Sequence, residues 1–297
     1  LGAKIDMTNT EVAAKSVAST LATRKIAVFA DVHGNYTALR AVIADAKRHK
    51  ATDFWFLGDV LLPGPGSSEI LAQLRELGIT AWPRGNWEDL LIGGHAKELD
   101  VQDPQRLYFT RHAMYQDQFL DDATYSMLAN QPLTVTHTVC GLTFRLSHNL
   151  PDKNYGQELV PTESQANFDR LLTPDIDVAL YGHTHRQLMR YSSAGQLIVN
   201  PGTVGMAFTN PGKVQHDLRA MYALITVSAS RISNVDLRKV EYDKDAELAR
   251  ARERQLPYYE LYRDQILAGV GYTHNRPVLA AYAAAHGYID DVNEYVK

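Results

Sequence analysis

The run Lys25-Ile26-Ala27-Val28-Phe29-Ala30-Asp31-Val32-His33-Gly34-Asn35 sets the fold. Five apolar residues in a row suit a buried strand, and the polar turn after them ends it. Asp31 and His33 stand two apart, so in extended backbone both side chains project to the same side and can reach one ion. Gly34 lets the chain leave the strand sharply. Residues 36–48 then place Leu39, Val42, Ile43 and Ala46 on one helical face. Residues 53–57 read as a second buried strand. Ser67 or Ser68 caps a helix through Ile70, Leu71, Leu74 and Leu77, and residues 79–82 read as a third strand. A βαβαβ half-domain is therefore expected, with ligands at the carboxyl ends of its strands.

Each later strand end repeats the theme. Gly58-Asp59 follows the second strand, and a carboxylate there has two oxygens with which to bridge two cations, so Asp59 is the expected bridge. Arg84-Gly85-Asn86-Trp87-Glu88 offers an amide oxygen. Ser147-His148-Asn149 closes an expected hairpin, residues 134–139 and 142–146 about Cys140-Gly141, and Gly182-His183-Thr184-His185 follows a strand at 178–181. Each of these motifs alone is weak. Their order, one at every strand end and each bearing a ligand type, carries the signal. His49, His95, His112, His137, His216, His274 and His286 have no such setting and read as surface or core residues.

Outside these turns, residues 89–130 read as a helical insertion broken near Pro104, and 163–172 as a helix. Strands are expected at 188–191, 196–199, 221–227 and 235–240, and helices at 245–256, 258–267 and 277–286. The expected division is an N-terminal extension (1–24), a catalytic domain (25–242) and a C-terminal helical appendage (243–297). That appendage holds many of the 16 tyrosines, with their hydroxyls expected at its rim.

A net charge of −4 disfavours a nucleic-acid polymer as partner, because phosphate-backbone binding draws on clustered Lys and Arg. No apolar run approaches the ~20 residues needed to cross a bilayer, so no membrane association is expected. One cysteine forms no internal disulfide, which makes the cytoplasm the default compartment.

The ordered set Asp31-x-His33, Gly58-Asp59, Gly85-Asn86, His148 and Gly182-His183-x-His185 resembles the calcineurin-like metallophosphoesterases, in particular their bacterial phosphodiesterase-like branch. The resemblance implies a four-layer α/β sandwich, two mixed sheets face to face with helices outside. It also implies two divalent metals, one bound by Asp31, His33, Asp59 and His185, the other by Asp59, Asn86, His148 and His183. A nitrogen and oxygen donor set without thiolate fits manganese, iron, zinc, cobalt or nickel and does not rank them; manganese is the first expectation. The implied reaction is attack by metal-bound hydroxide on a small or nucleotide-like phosphomonoester or diester. Asn35, Arg84 and Arg186 are the expected phosphate-binding residues, and Asn200-Pro201-Gly202-Thr203 resembles a turn that buttresses the metals.

Two positions depart from the family pattern. Many members carry a histidine after the metal-binding Asn; this chain has Trp87, which removes the obvious leaving-group acid. Protein phosphatases of the superfamily show Asp-Arg-Gly where this chain has Leu61-Leu62-Pro63-Gly64-Pro65-Gly66, which disfavours Ser/Thr protein phosphatase activity. A non-catalytic scaffold that keeps the fold is the other alternative, and its mark would be lost ligands. The C-terminal helices are the expected surface for any homo-oligomer.

Overall fold

The structure, a computed structural model, describes residues 23–209 and 217–297; most of the expected N-terminal extension lies outside them. In chain order the elements are β1 (Arg24–Phe29), α1 (Tyr36–Arg48), β2 (Asp53–Phe56), α2 (Ser68–Glu76), α3 (Asn86–His95), α4 (Pro104–Gln116) and α5 (Asp122–Ala129). Next come β3 (Thr134–Val139), β4 (Leu142–Ser147), α6 (Gln165–Asp169), β5 (Val178–Tyr181), β6 (Gln187–Tyr191) and β7 (Leu197–Pro201). The chain continues through β8 (Ala220–Ser228), β9 (Arg231–Val240), α7 (Lys244–Glu253), α8 (Tyr259–Ala268), α9 (Arg276–Ala285) and α10 (Tyr288–Tyr295).

Two mixed sheets form, one of four strands in the order β2-β1-β8-β9 and one of five in the order β3-β4-β5-β7-β6. The period of two along β1 decides how they pack. Ile26, Val28 and Ala30 face Phe144, Leu146, Val178, Leu180 and Val199 of the other sheet, while Ala27 and Phe29 turn outward into the core shared with the helices. Ala179, Tyr181 and Ile198 likewise turn away from the sheet interface, toward Phe168 and Leu171. Burying each large side chain is worth about 1.5–3 kcal/mol. The result is the four-layer sandwich that the sequence led us to expect.

Helix starts follow ordinary capping chemistry. Asn35, Asp103, Asp121, Asp243 and Asn275 each accept a backbone N–H of the first turn with their side chains, and Pro104 opens α4. Among the described residues no helix is long and apolar enough to cross a membrane.

Three expectations need correction. Residues 79–82 are not a strand; the place beside β1 goes to β8, antiparallel to it in register from Arg24↔Val227 to Val28↔Ala223. The segment instead ties its backbone to the loop after α5, Trp82 N–H donating to Gln131 Oε1 (3.1 Å) and Arg84 N–H to Pro132 O (2.7 Å). The C-terminal tyrosines are not all at a rim: Tyr258 and Tyr262 are buried, and Tyr258 packs on Tyr108, Tyr282 and Tyr288. A fourth C-terminal helix, α10, buries Val292 in the same core.

Asp45 of α1 joins helix to sheet. Although burial opposes its charge, hydrogen bonds from Arg238, Arg48 and Tyr222 pull its carboxyl down to about 2. The folded value lies below the unfolded one, so this stabilisation is complete above about pH 4 and is lost as pH falls through 2. Asp45→Asn is expected to cost about 2 kcal/mol at pH 7. In urea unfolding the gap between variant and parent should close between pH 4 and pH 2.

Candidate metal centre

All seven expected ligands converge where the carboxyl ends of β1 and β2 meet those of β4 and β5. Asp31 and His33 lie in the turn after β1, Asp59 after β2 and Asn86 at the start of α3. His148 lies beyond β4, and His183 and His185 beyond β5. The loops are knitted across the sheets: Asp31 N–H donates to Gly58 O (2.9 Å), His33 N–H to Asp59 O (3.1 Å) and Gly182 N–H to His148 O (2.9 Å). Gly58 must be glycine here. A Cβ on it, at φ +97°, would sit 2.6 Å from Pro83 O and 2.9 Å from His148 Nδ1.

Five of the seven, Asp31, His33, Asp59, His183 and His185, have positive φ between 50° and 64°. Such backbone costs of order 1–3 kcal/mol per residue and persists where surrounding contacts over-determine it. The contacts are present. The Leu61-Leu62-Pro63-Gly64-Pro65-Gly66 loop clamps the first turn through Gly64 N–H to His33 O (3.0 Å) and Gly66 N–H to Gly34 O (2.7 Å). Thr203 Oγ1 donates to Asp31 O (2.9 Å), and Asn200 Nδ2 to Gly182 O (2.7 Å), as buttressing residues do.

The imidazoles reveal what the centre is built to hold. His33 Nδ1 lies 2.8 Å from Leu62 O, His148 Nδ1 2.8 Å from Leu57 O, His185 Nδ1 2.6 Å from Met206 O and His183 Nε2 2.9 Å from Gly156 O. A carbonyl only accepts, so each of these ring nitrogens carries the hydrogen. In the neutral ring the inner nitrogen is then a bare lone pair. His33 Nε2 and His185 Nε2 face each other at 3.1 Å, and His148 Nε2 and His183 Nδ1 face Asn86 Oδ1 at 3.2 and 2.9 Å.

Into the same space point Asp31 Oδ1 and Asp59 Oδ2, both buried and without a hydrogen-bond partner. Each carboxylate has its second oxygen occupied: Asp31 Oδ2 accepts His183 N–H (3.2 Å) and Asp59 Oδ1 accepts Trp87 N–H (2.9 Å). Acceptors facing acceptors in a buried space need positive charge between them. The donor set therefore fits metal ions, in two overlapping groups, Asp31 with His33 and His185, and Asp31 with Asp59 and His148. Asp31 belongs to both groups. Asp59 also faces both sides, its Oδ2 lying 3.7 Å from His33 Nε2 and 3.3 Å from His148 Nε2.

Titration behaviour agrees with this charge balance. Burial opposes a charge on His148, yet in metal-free protein the Asp59 and Asp31 carboxylates outweigh it and push the imidazole up to about 10, so that without a cation its Nε2 carries a proton that a bound metal would displace. Burial drives His33 down to about 4; His183, buried and beside the charged His148, also falls to about 4.

The expected phosphate-binding residues separate. Arg186 lines the cleft that opens over the ligands, about 920 Å³ in volume. Arg84 does not line it; its guanidinium donates to Ala129 O and pairs with Asp89 at 2.8 Å. Asn35 is fully buried, capping α1 through Ala38 N–H (2.9 Å), and does not line the cleft either. Trp87 stands edge-on to His33 at 4.7 Å and to Phe109 at 4.9 Å, and forms part of the cleft wall. His274 also lines the cleft, although its sequence setting marked it as a bystander.

Glu88 was not singled out from the sequence. Buried behind the ligands, it accepts N–H groups from Gly85 (2.6 Å), Asp59 (3.0 Å) and Val60 (2.6 Å), which fixes the Asp59 turn against the start of α3. An acid at the third position of a helix, three residues after Gly85, was the available signal.

Known proteins share this fold. A metallophosphoesterase from Sphaerobacter thermophilus superposes with a TM-score of 0.62 at 26% identity, covering 83% of this chain and 100% of that one. A hypothetical protein from Pyrococcus horikoshii shares the fold, with a TM-score of 0.65 at 18% identity over 83% of this chain and 98% of that one. An uncharacterized protein of Methanocaldococcus jannaschii is 23% identical over 247 residues, 78% of this chain and 93% of its own. The model of the calcineurin-like phosphoesterase superfamily domain matches residues 25–230, a span containing all seven expected ligands. With that match and a buried donor set that fits metal ions, the chain belongs to the calcineurin-like phosphoesterase superfamily and is a metal-dependent phosphoesterase.

Proposed function

We propose that the centre holds two divalent cations, with manganese preferred, and hydrolyses small organic phosphoesters. Asp31, His33, Asp59 and His185 would hold one ion, and Asp59, Asn86, His148 and His183 the other. The observation that carries this reading is the outward hydrogen bonding of all four imidazoles, which leaves four nitrogen lone pairs, two carboxylate oxygens and one amide oxygen facing one another. Backbone carbonyl partners of this kind orient histidine ligands and raise their basicity.

When bound, such a pair supplies Lewis acidity that lowers the pKa of a water to near 7 and offsets charge gathering on the phosphoryl oxygens. The remaining work falls to the chain. Asp59 is locked by Trp87 N–H and Glu88 so that its inward oxygen keeps one position. Arg186 has its guanidinium available in the cleft wall to hold the phosphoryl group. Trp87 and Phe109 exclude water on their side of the cleft and donate no proton to a leaving group there.

Protein stripped with a chelator and dialysed is expected to lose hydrolysis of bis(4-nitrophenyl) phosphate. Manganese should restore it with a content near two ions per chain. Undiminished turnover after complete stripping, or full turnover with one ion bound, contradicts the reading.

A further inference from the structure

The cleft runs well past the ligands to α4 and to the loop between α8 and α9. Gly269, Val270, Gly271, Thr273 and His274 of that loop, which lies beyond the residues that the family model matches, line it together with Arg106 and Phe109. The wall is anchored on two sides: Gln105 Nε2 donates to Thr273 O (2.8 Å), and Thr209 N–H donates to Gly269 O (3.2 Å).

Two guanidiniums in this cleft stand out. Among the described residues, Arg106 and Arg186 are the half-buried arginines whose side chains make no hydrogen bond or ion pair. Arg24, Arg84, Arg111, Arg145, Arg190, Arg219, Arg238, Arg250, Arg254 and Arg263 each have a partner. The nearby Asp103 carboxylate is already held by both donor edges of Arg276. Arg106 acts on that carboxylate through its charge alone, so its N–H groups remain open to an arriving anion.

Proton donors, by contrast, are few. Besides the ligands, the titratable groups lining the cleft are Asp89, Arg106, Tyr155, Arg186 and His274. Asp89 is paired with Arg84 and accepts from Asn154 (2.7 Å), and guanidinium does not give up its proton. Tyr155 and His274, both exposed, are the remaining acids, against two half-buried guanidiniums with open N–H groups to hold a departing anion.

We infer that the substrate is a phosphoanhydride, a pyrophosphate with an organic group on each phosphorus, and that Arg106 holds the departing phosphate. The inference rests on the hydrolytic reading above. Water adds its oxygen to one phosphorus, and the bond from that phosphorus to the bridging oxygen breaks with its electron pair staying on the leaving phosphate. Two phosphate monoesters result, and the two protons of the water pass to solvent. A phosphate monoester has a second pKa of about 6, so it departs at neutral pH without a proton. An alkoxide, about as basic as hydroxide (~16), does not. The apolar surface of Phe109 and Phe208 would then carry an organic substituent.

ADP-ribose is a suitable probe, with bis(4-nitrophenyl) phosphate as the activated diester. In the manganese-loaded protein, Arg106→Ala is expected to lower kcat/KM for ADP-ribose about 10- to 100-fold, with part of the loss recovered in Arg106→Lys. The nitrophenyl diester should change less than about 3-fold, because one ion-pair contact is not used. Binding of the α,β-methylene analogue to metal-free protein, followed by calorimetry, should weaken by a similar factor in Arg106→Ala. Three results overturn the inference: equal losses on both substrates, unchanged binding of the analogue, or no ADP-ribose hydrolysis by protein that turns over the diester. A selective loss of alkyl diester turnover in His274→Ala would also overturn it, by identifying a leaving-group acid. Failure of the loaded protein on both substrates would instead count against the hydrolytic reading.

Discussion

Asp59→Asn is expected to lower phosphodiester turnover by about 10³- to 10⁴-fold, the several kcal/mol that a correctly held cation contributes to a phosphoryl transition state. The substitution is nearly isosteric. Its amide oxygen can still accept Trp87 N–H, so the turn after β2 and the start of α3 keep their register. What changes is the inward atom: a neutral amide N–H₂ replaces a carboxylate oxygen that faces both His33 and His148. One negative charge leaves the middle of the cluster, and manganese affinity should fall with turnover while the circular dichroism spectrum stays unchanged. Parent-level turnover in Asp59→Asn would remove Asp59 from the centre.

Glu88→Ala is expected to damage the fold and the site together. Three buried N–H groups, of Gly85, Asp59 and Val60, lose their acceptor at once. At about 1–3 kcal/mol for each buried group left unsatisfied, a loss of about 3–9 kcal/mol is expected, a large share of the total stability of a domain. Glu88→Gln should be milder, because the amide oxygen can keep the Gly85 and Asp59 donors while its N–H₂ meets Val60 N–H. Burial and the neighbouring Asp59 charge push the Glu88 carboxyl up to about 7. The folded value lies above the unfolded one, so in metal-free protein its contribution is full below pH 4.5 and is lost as pH rises through 7. Urea unfolding across that range should show the parent losing ground to Glu88→Gln. A constant difference would contradict the assigned environment.

The sequence announced the inward-facing residues because a strand end followed by a turn is a local pattern. Asp31-x-His33 and Gly182-His183-x-His185 declare both the turn and the donor type within a few residues. Partners are not local, and Asn35 and Arg84 show it. Each is a polar residue beside a ligand turn, and only the folded chain shows that Asn35 caps α1 and that Arg84 is occupied by Ala129 O and Asp89. The same reason hides His274, whose loop reaches the cleft by docking on Gln105 of α4. Residues 79–82 have the composition of a strand, but β8, more than 130 positions later, occupies the place beside β1. A pairing over that distance has no signature in either segment alone. Tyr258 was assigned to a rim from its hydroxyl; its ring instead fills a gap among Tyr108, Tyr282 and Tyr288.

The facing acceptors of Asp31, His33, Asp59, Asn86, His148, His183 and His185 are expected to hold two cations together. Crystals of the protein soaked in manganese and measured on both sides of the manganese absorption edge test it most directly. Two anomalous peaks, ~3.5–4 Å apart and with Asp59 between them, are expected. His33 and His185 should lie beside one peak, and Asn86, His148 and His183 beside the other. A single peak, or none within bonding distance of these side chains, would contradict it.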